Sequence, residues 1–573
     1  MTIEKSNQIR NKEVFTFLID RKDKIITDNR NTIVSDCEKY QLFIDGVIYN
    51  HNTDRLISGF VSEGADYVSQ LEGNFLIFLV VDSSFHILTD KINSRKAFYA
   101  FIDDKWYISN NIDCLPKNRS NISIDGVACY IANGVMLNNL TLFQNIKQTK
   151  RASIHRFEND KISIHRYWDL SFSHSSEKQI DEKRCKIDFK RLLIDAVKIR
   201  YNKDVNTGIS LSAGYDVRGI LGILHESIKA SGISCFSYAL NDHPKPGTDA
   251  FVSKKIADEY QFPHDTIKTY KGNLIEFLIN NAFEGKCLTN FSDELDAWHY
   301  LAEKGHYNDI FVGDMAFGIG GNEKSINDIL RIVQVRSPSG FKWLKHYLSK
   351  KVYNDIYRSI KNLNSSIIRT VEVFPHLQDK KDYLYFDQRL NHVQLPWREN
   401  ICGQAGFVHI PYLDGEVLNF ISKLPMHLRK GKSLYRETII DMYPDLFSIP
   451  RAEDLGYKVN WAKEIAKNRK ALIKLNLELN SRLDEFISKE EILYMIKRIN
   501  PVAYRIRLFL VTSMNYLRRK INAFDKLLEN LVGPMQRRIS PDLFLIRILL
   551  IRIYLSDTSY KRANIQQNKI WQR

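Results

Sequence analysis

Cysteine is scarce and solitary in this chain of 573 residues: Cys37, Cys114, Cys129, Cys185, Cys235, Cys287 and Cys402 form no C-x-x-C pair and make an odd total. Neither a zinc site nor a disulfide framework is expected from such spacing. Long apolar runs are missing as well. The opening MTIEKSNQIRNKEVF has no uninterrupted apolar stretch, so neither a signal peptide nor a membrane anchor is expected and a cytoplasmic protein follows. The most apolar late stretch, Leu543 to Leu555, is interrupted by Arg547 and Arg552 and is too short to span hydrocarbon. It reads as an amphipathic or buried helix. There is no block of lysine and arginine despite a formal charge of +16, which favours a solvated basic surface over a nucleic-acid, lipid or polyanionic-saccharide site. No internal repeat or low-complexity segment stands out.

What is present is the composition of a folded protein, with 44% apolar and 26% charged residues. The length predicts two or three domains. From about residue 13 to 170 short alternating runs such as Leu42–Tyr49 and Phe75–Val81 predict a strand-rich domain. A polar stretch, SFSHSSEKQ, marks a linker at 171–180. From 181 to 465 helix and strand alternate, with strands at Gly208–Leu211, Ile233–Leu240 and about His264–Thr269, as expected of a parallel sheet with crossover helices. From 466 to 573 strand signals fade, and stretches such as Lys470–Ile487 and Arg505–Leu528 predict amphipathic helices in a basic extension.

The stretch Gly208–Arg218 runs from an apolar strand through small residues into a helix beginning near Asp216. Such a turn aims backbone N–H groups and the positive end of a helix at one spot, where a phosphate binds. An ordinary strand-to-helix turn would look the same. Further on, Asp309–Gly318 is a short apolar run ending in Gly313-Asp314, which read alone is a turn or cap. Lys432, beside Arg429 and Lys430, reads alone as a solvated residue at a helix start.

In this order the stretches resemble those of asparagine synthetases and related ATP pyrophosphatases. L-S-A-G-Y-D-V-R is similar to their S-G-G-x-D-S loop; Ser212, Gly214 and Asp216 match, while Ala213 and Val217 depart. Asp314 falls on the metal-binding Asp of their second motif, followed in step by Phe317-Gly318. Pro411–Asp414, Leu424-Pro425, Lys432–Glu437 and Arg451–Gly456 follow the family's third group of motifs. The resemblance implies that Leu211, Ser212, Ala213, Gly214, Tyr215, Asp216 and Val217, with Tyr238 and Gly313, bind ATP. It implies that Asp216 and Asp314 hold Mg²⁺, and that Lys432 is catalytic, stabilising charge on an acyl-adenylate.

Phe43–Asn50, Leu71–Phe75 and Asp90–Tyr99 resemble class II glutamine amidotransferase domains, which implies an N-terminal sandwich of the Ntn-hydrolase type. Thr2 stands where that family has its nucleophilic cysteine, so no glutaminase is expected. Phe311 stands where asparagine synthetases have a glutamate used in proton handling. The expected activity is an AMP-forming ligase that adenylates a small-molecule or peptide carboxylate and passes it to ammonia or an amine. A catalytically degenerate relative serving as a scaffold is the alternative, and a tRNA-modifying ATP pyrophosphatase a third reading. No nucleic-acid partner or membrane span is expected; a homo-oligomer or a pathway partner is left open.

Overall fold

The structure is a computed structural model describing residues 14–19, 25–27, 33–34, 40–51, 53–81, 84–172, 181–317, 323–499 and 540–556. Thr2, Cys37, Gly318, most of the linker (173–180) and the Arg505–Leu528 stretch lie outside the described residues.

The first part contains β1 (Thr16–Ile19), β2 (Ile25–Thr27), β3 (Ile33–Val34), β4 (Tyr40–Ile48), β5 (Gly73–Val81), β6 (Ser84–Thr89), β7 (Phe98–Ile102), β8 (Lys105–Ser109), β9 (Lys147–Gln148), β10 (Ser153–Glu158) and β11 (Lys161–Arg166). They form two antiparallel sheets in the orders β2-β1-β8-β7-β9 and β11-β10-β6-β5-β4-β3. Strand β5 is apolar without alternation because both of its faces are covered. Leu76, Phe78 and Val80 meet the other sheet, while Phe75, Ile77 and Leu79 meet the helices Leu56–Glu63 and Ala65–Gln70. Phe17 joins the sheets, its ring centroid 5.0 Å from Phe43 and 4.8 Å from Phe78. The result is the expected sandwich.

The second part is built on β12 (Thr207–Ser210), β13 (Ile233–Ala239), β14 (His264–Lys268), β15 (Asp309–Phe311) and β16 (Phe407–His409), all parallel, in the order β14-β13-β12-β15-β16. The three strands predicted from sequence are β12, β13 and β14. Between β15 and β16 lies a long helical insertion that includes a π-helical segment, Tyr385–Gln394.

The single helix expected over Lys470–Ile487 is corrected by the structure. It splits into a helix Arg469–Glu478, a 3₁₀ turn Arg482–Glu485 and a new helix Lys489–Arg498. Ser481 and Ser488 each close a capping box, with Asp484 and Glu491, which starts a new turn at each serine. Buried Arg552 donates to the carbonyls of Asn476 and Leu479 (both 2.7 Å), satisfying the open end of the first helix. Arg552 belongs to the helix Pro541–Tyr554, which is buried between the helices Leu274–Gly285 and Ile124–Asn133. Among the described residues no helix is long and apolar enough to cross a membrane.

Candidate active site

After β12 the chain leads outward through β13 and β14, then returns to β15 on the other side of β12. The carboxyl ends of β12 and β15 therefore flank the topological switch point, where open α/β sheets bind ligands. The loop after β12 leads into the helix Tyr215–Gly222, whose first turn has no side-chain cap. Its positive end is thus open to an anion. Within the loop, the Ala213 amide donates to Asp249 (2.8 Å) and the Gly214 amide to Ser212 Oγ (3.3 Å). Burial pushes the Asp249 carboxyl above its usual range, and the Ala213 amide opposes this.

Gly313 joins the two strand ends. A Cβ placed on it would lie 2.6 Å from the Val217 nitrogen and 3.0 Å from Asp216 Cβ, so only glycine admits this approach. Asp216 and Asp314 are neighbours as a result. Each has a cation: Lys432 Nζ meets Asp216 Oδ2 at 2.5 Å, and Arg398 Nε meets Asp314 Oδ2 at 2.7 Å. The structure thus brings Ser212, Gly214, Tyr215, Asp216, Gly313, Asp314 and Lys432 to one end of the sheet. Leu211, Ala213 and Val217 turn their side chains into the core, leaving only their backbone to the loop. Tyr238 is buried, its hydroxyl 3.1 Å from Ser210 Oγ and its ring 5.9 Å from that of Tyr457.

The departure from the family at Tyr435 has a structural use. Its hydroxyl lies 3.3 Å from the carbonyl oxygens of both Tyr215 and Asp216 and 3.1 Å from the Tyr412 hydroxyl. Gly219 makes room, since a Cβ there would come within 2.6 Å of Tyr412 Oη. Tyr215 stacks on Phe447 (5.4 Å, 9°) beneath the guanidinium groups of Arg436 (4.8 Å) and Arg451 (5.3 Å). Two groups were not singled out from sequence. Arg398 comes from the helical insertion, far from any motif. Glu294, beside Asp293 and near Arg398, has its carboxyl pushed up to about 7, first by burial and then by Asp293. No local pattern marks either residue.

Between the sandwich and the parallel sheet lies a cavity of about 890 Å³, with Asp45, Asn74, Arg95, Arg398, Glu399 and Gln404 in its wall. It extends from the edge of β4 to the arginine that holds Asp314.

Residues 188–304 match the sequence profile of the family described as asparagine synthase. The chain carries an asparagine synthase domain. The match spans the loop after β12, and stops before Asp314 and Lys432. A Methanocaldococcus jannaschii protein named "Putative asparagine synthetase (glutamine-hydrolyzing) 2" is 25% identical over 228 residues, covering 38% of this chain and 44% of that protein. The chain thus spans less than half the length of this relative. Among solved structures, a glutamine phosphoribosylpyrophosphate amidotransferase from B. subtilis complexed with ADP and GMP aligns with a TM-score of 0.21 at 8% identity, covering 45% of this chain and 85% of that one. A structure titled the allosteric regulatory enzyme of purine biosynthesis gives 0.20 at 6% identity, covering 46% and 75%. Likeness at that level says nothing about the activity of the asparagine synthase domain.

Proposed function

We propose that the chain is an ATP-dependent ligase that joins a carboxylate to AMP, releases pyrophosphate, and lets ammonia or an amine displace the AMP to form an amide. The observation that carries this reading is the contact of Gly313 with the backbone of Asp216 and Val217. It sets two carboxylates and two cations around an uncapped helix start at the switch point of the sheet. The asparagine synthase match over the same loop supports it.

In this reading the Ser212–Gly214 turn cradles the β- and γ-phosphates, and Tyr238 lies toward the base. Lys432 stabilises charge on the acyl-adenylate as the nucleophile attacks, the part a preorganised ammonium plays best in a partly buried site. Asp216 and Asp314 offer the hard oxygen donors a divalent ion takes. Among the described residues no group of three or more His, Cys, Asp or Glu is arranged to hold a metal, so phosphate oxygens would complete the shell. Magnesium bound there would neutralise charge on the departing pyrophosphate. The cavity beside Arg398 gives room for an amine larger than ammonia.

The test is a thermal-shift titration with Mg·ATP, since a ligand at one hundred times its Kd stabilises by about 2.7 kcal/mol. The wild type is expected to respond, and Asp216→Ala and Asp314→Ala to lose the response. Carboxylate-dependent exchange of pyrophosphate into ATP then reports adenylation directly, and product assays with ammonium and with glutamine identify the nitrogen source. A well-folded wild type indifferent to millimolar Mg·ATP would reject the ligase and leave a scaffold.

A further inference from the structure

The π-helical segment Tyr385–Gln394 carries a second group of charges, outside the Asp216–Asp314 cluster. Wide helical turns of this kind are rare and concentrate at functional sites, because the bulge redirects side chains that a regular helix would place elsewhere. Here Tyr385 is buried, and burial pushes its phenol up to about 12. Arg389 opposes that shift by hydrogen bonding to the ring oxygen, while Asp314 and Asp216 add to it. Tyr385 thus lies within the electrostatic reach of both carboxylates of the candidate active site. The Arg389 guanidinium lies 5.7 Å from the centre of the Tyr385 ring, on the path leading away from that site.

Arg389 has an unusual neighbour in Arg336. Burial, and then Arg389 itself, lowers the Arg336 pKa. Among the described residues neither arginine forms an ion pair, although the chain's other half-buried arginines at this level, such as Arg151 and Arg398, do. Arg389 Nε is buried without a hydrogen-bond partner, as are the side-chain oxygens of Gln388 and Asn364. Nearby Arg547 is already committed to the carbonyls of Ile131, Ala132 and Asn133. Two like charges held together in a dry setting, with donors unmet, repel each other until an anion joins them.

We propose that Arg389 and Arg336 form an anion subsite that holds a second, non-reacting carboxylate of the acid that the enzyme activates. This rests on the ligase reading and narrows it: the preferred acid carries two carboxylates, one delivered past Tyr385 toward Asp216 and Asp314, the other retained by the arginine pair. Guanidinium suits the task because its planar fork pairs with both oxygens of a carboxylate.

The experiment uses the full chain and the probes malonate, succinate and glutarate, with propionate as the monocarboxylate control, all at matched ionic strength in a thermal-shift titration. At least one dicarboxylate is expected to raise the melting temperature of the wild type where propionate does not. Arg389→Gln and Arg336→Gln are each expected to weaken that response about tenfold or more. With no anion present, Arg389→Gln is expected to melt at or above the wild-type temperature, because it removes an uncompensated charge. A residue serving only the fold would do the opposite. Asp216→Ala is expected to lose the Mg·ATP response and keep the dicarboxylate response, which separates this subsite from the nucleotide reading. The subsite is overturned if none of the three dicarboxylates outperforms propionate, if both arginine variants respond like the wild type, or if Arg389→Gln lowers the anion-free melting temperature. If Mg·ATP has no effect while the arginine-dependent dicarboxylate response remains, the ligase reading fails and the subsite stands.

Discussion

Lys432 sits in the left-handed region at φ 60°, directly after Gly431 at φ 63°. Such a backbone costs a non-glycine residue about 1 kcal/mol, and it is tolerated where it aims a side chain that is needed. The side chain reaches Asp216 from the start of the helix Ser433–Met442. Its ion pair is partly open to water and contributes little to stability. Lys432→Ala is therefore expected to keep the fold and the Mg·ATP-induced shift, while amide formation falls by about 10²–10³-fold. Lys432→Gly should lose activity equally yet raise the melting temperature, because glycine relieves the backbone. Melting curves and single-turnover AMP release on both variants check this; near-normal turnover in either would remove Lys432 from the chemistry. Read by itself, Lys432 looked like a solvated helix-start residue. Only its order after the other motifs pointed to a role, and only the turn at Gly431 explains how it reaches Asp216.

Among the elements, the turn after β15 decides the site's geometry. In Gly313→Ala the new methyl would meet backbone atoms, the Val217 nitrogen at 2.6 Å and the Asp216 carbonyl carbon at 2.9 Å. Backbone cannot rotate away as a side chain can, so the turn must retreat and carry Asp314 from Asp216. The expected loss is about 1–3 kcal/mol of stability together with the Mg·ATP response. Chemical denaturation and thermal shift measure the two separately. A variant of lowered stability with an intact nucleotide response would show that the spacing of the carboxylates is not what matters. Strands and helices before residue 270 were legible because apolar runs and amphipathic periods were short, regular and punctuated. The break after Glu478 was not legible. Two serine caps can be read from sequence, but the hydrogen bonds from Arg552 that secure the break come from some 70 residues away.

On the scale of the whole molecule, the sandwich and the parallel-sheet part are joined by buried polar contacts. Tyr49 bridges Asn74 (3.0 Å) and His409 (3.1 Å), Arg151 meets Asp387 at 2.9 Å, and Lys96 Nζ donates to Asn391 at 2.9 Å. Burial lowers the Lys96 ammonium to about 8, only partly offset by Glu399, Asp387 and Asp90. The folded pKa lies below the unfolded value of about 10.5, so the folded state loses protons first, and the penalty of holding this charge fades as pH rises from about 8 toward 10.5. Below pH 8 the penalty is on the order of 3 kcal/mol. Lys96→Met is thus expected to compare best with the wild type near pH 7 and to lose that relative advantage at higher pH. Urea unfolding at pH 7, 8.5 and 9.5 measures it, and a stability difference constant across that range would contradict a depressed lysine.

What the sequence by itself determined is the set of parts: an alternating β region, a parallel α/β region, a phosphate-type turn at Ser212–Asp216, and Asp314 and Lys432 placed after it in order. Local periodicity and turn chemistry are written residue by residue, so these can be read without knowing what lies across the fold. Which parts meet was decided by the tertiary structure. Arg398, Glu294, Arg389 and Arg336 carry no local signal, and their significance arises from charges that become neighbours only when the insertion between β15 and β16 closes over the sheet. The C-terminal helix likewise reads as apolar and interrupted. Its burial between the two parts follows from packing, because the value of burying Arg547 and Arg552 depends on backbone carbonyls that only the folded chain presents to them.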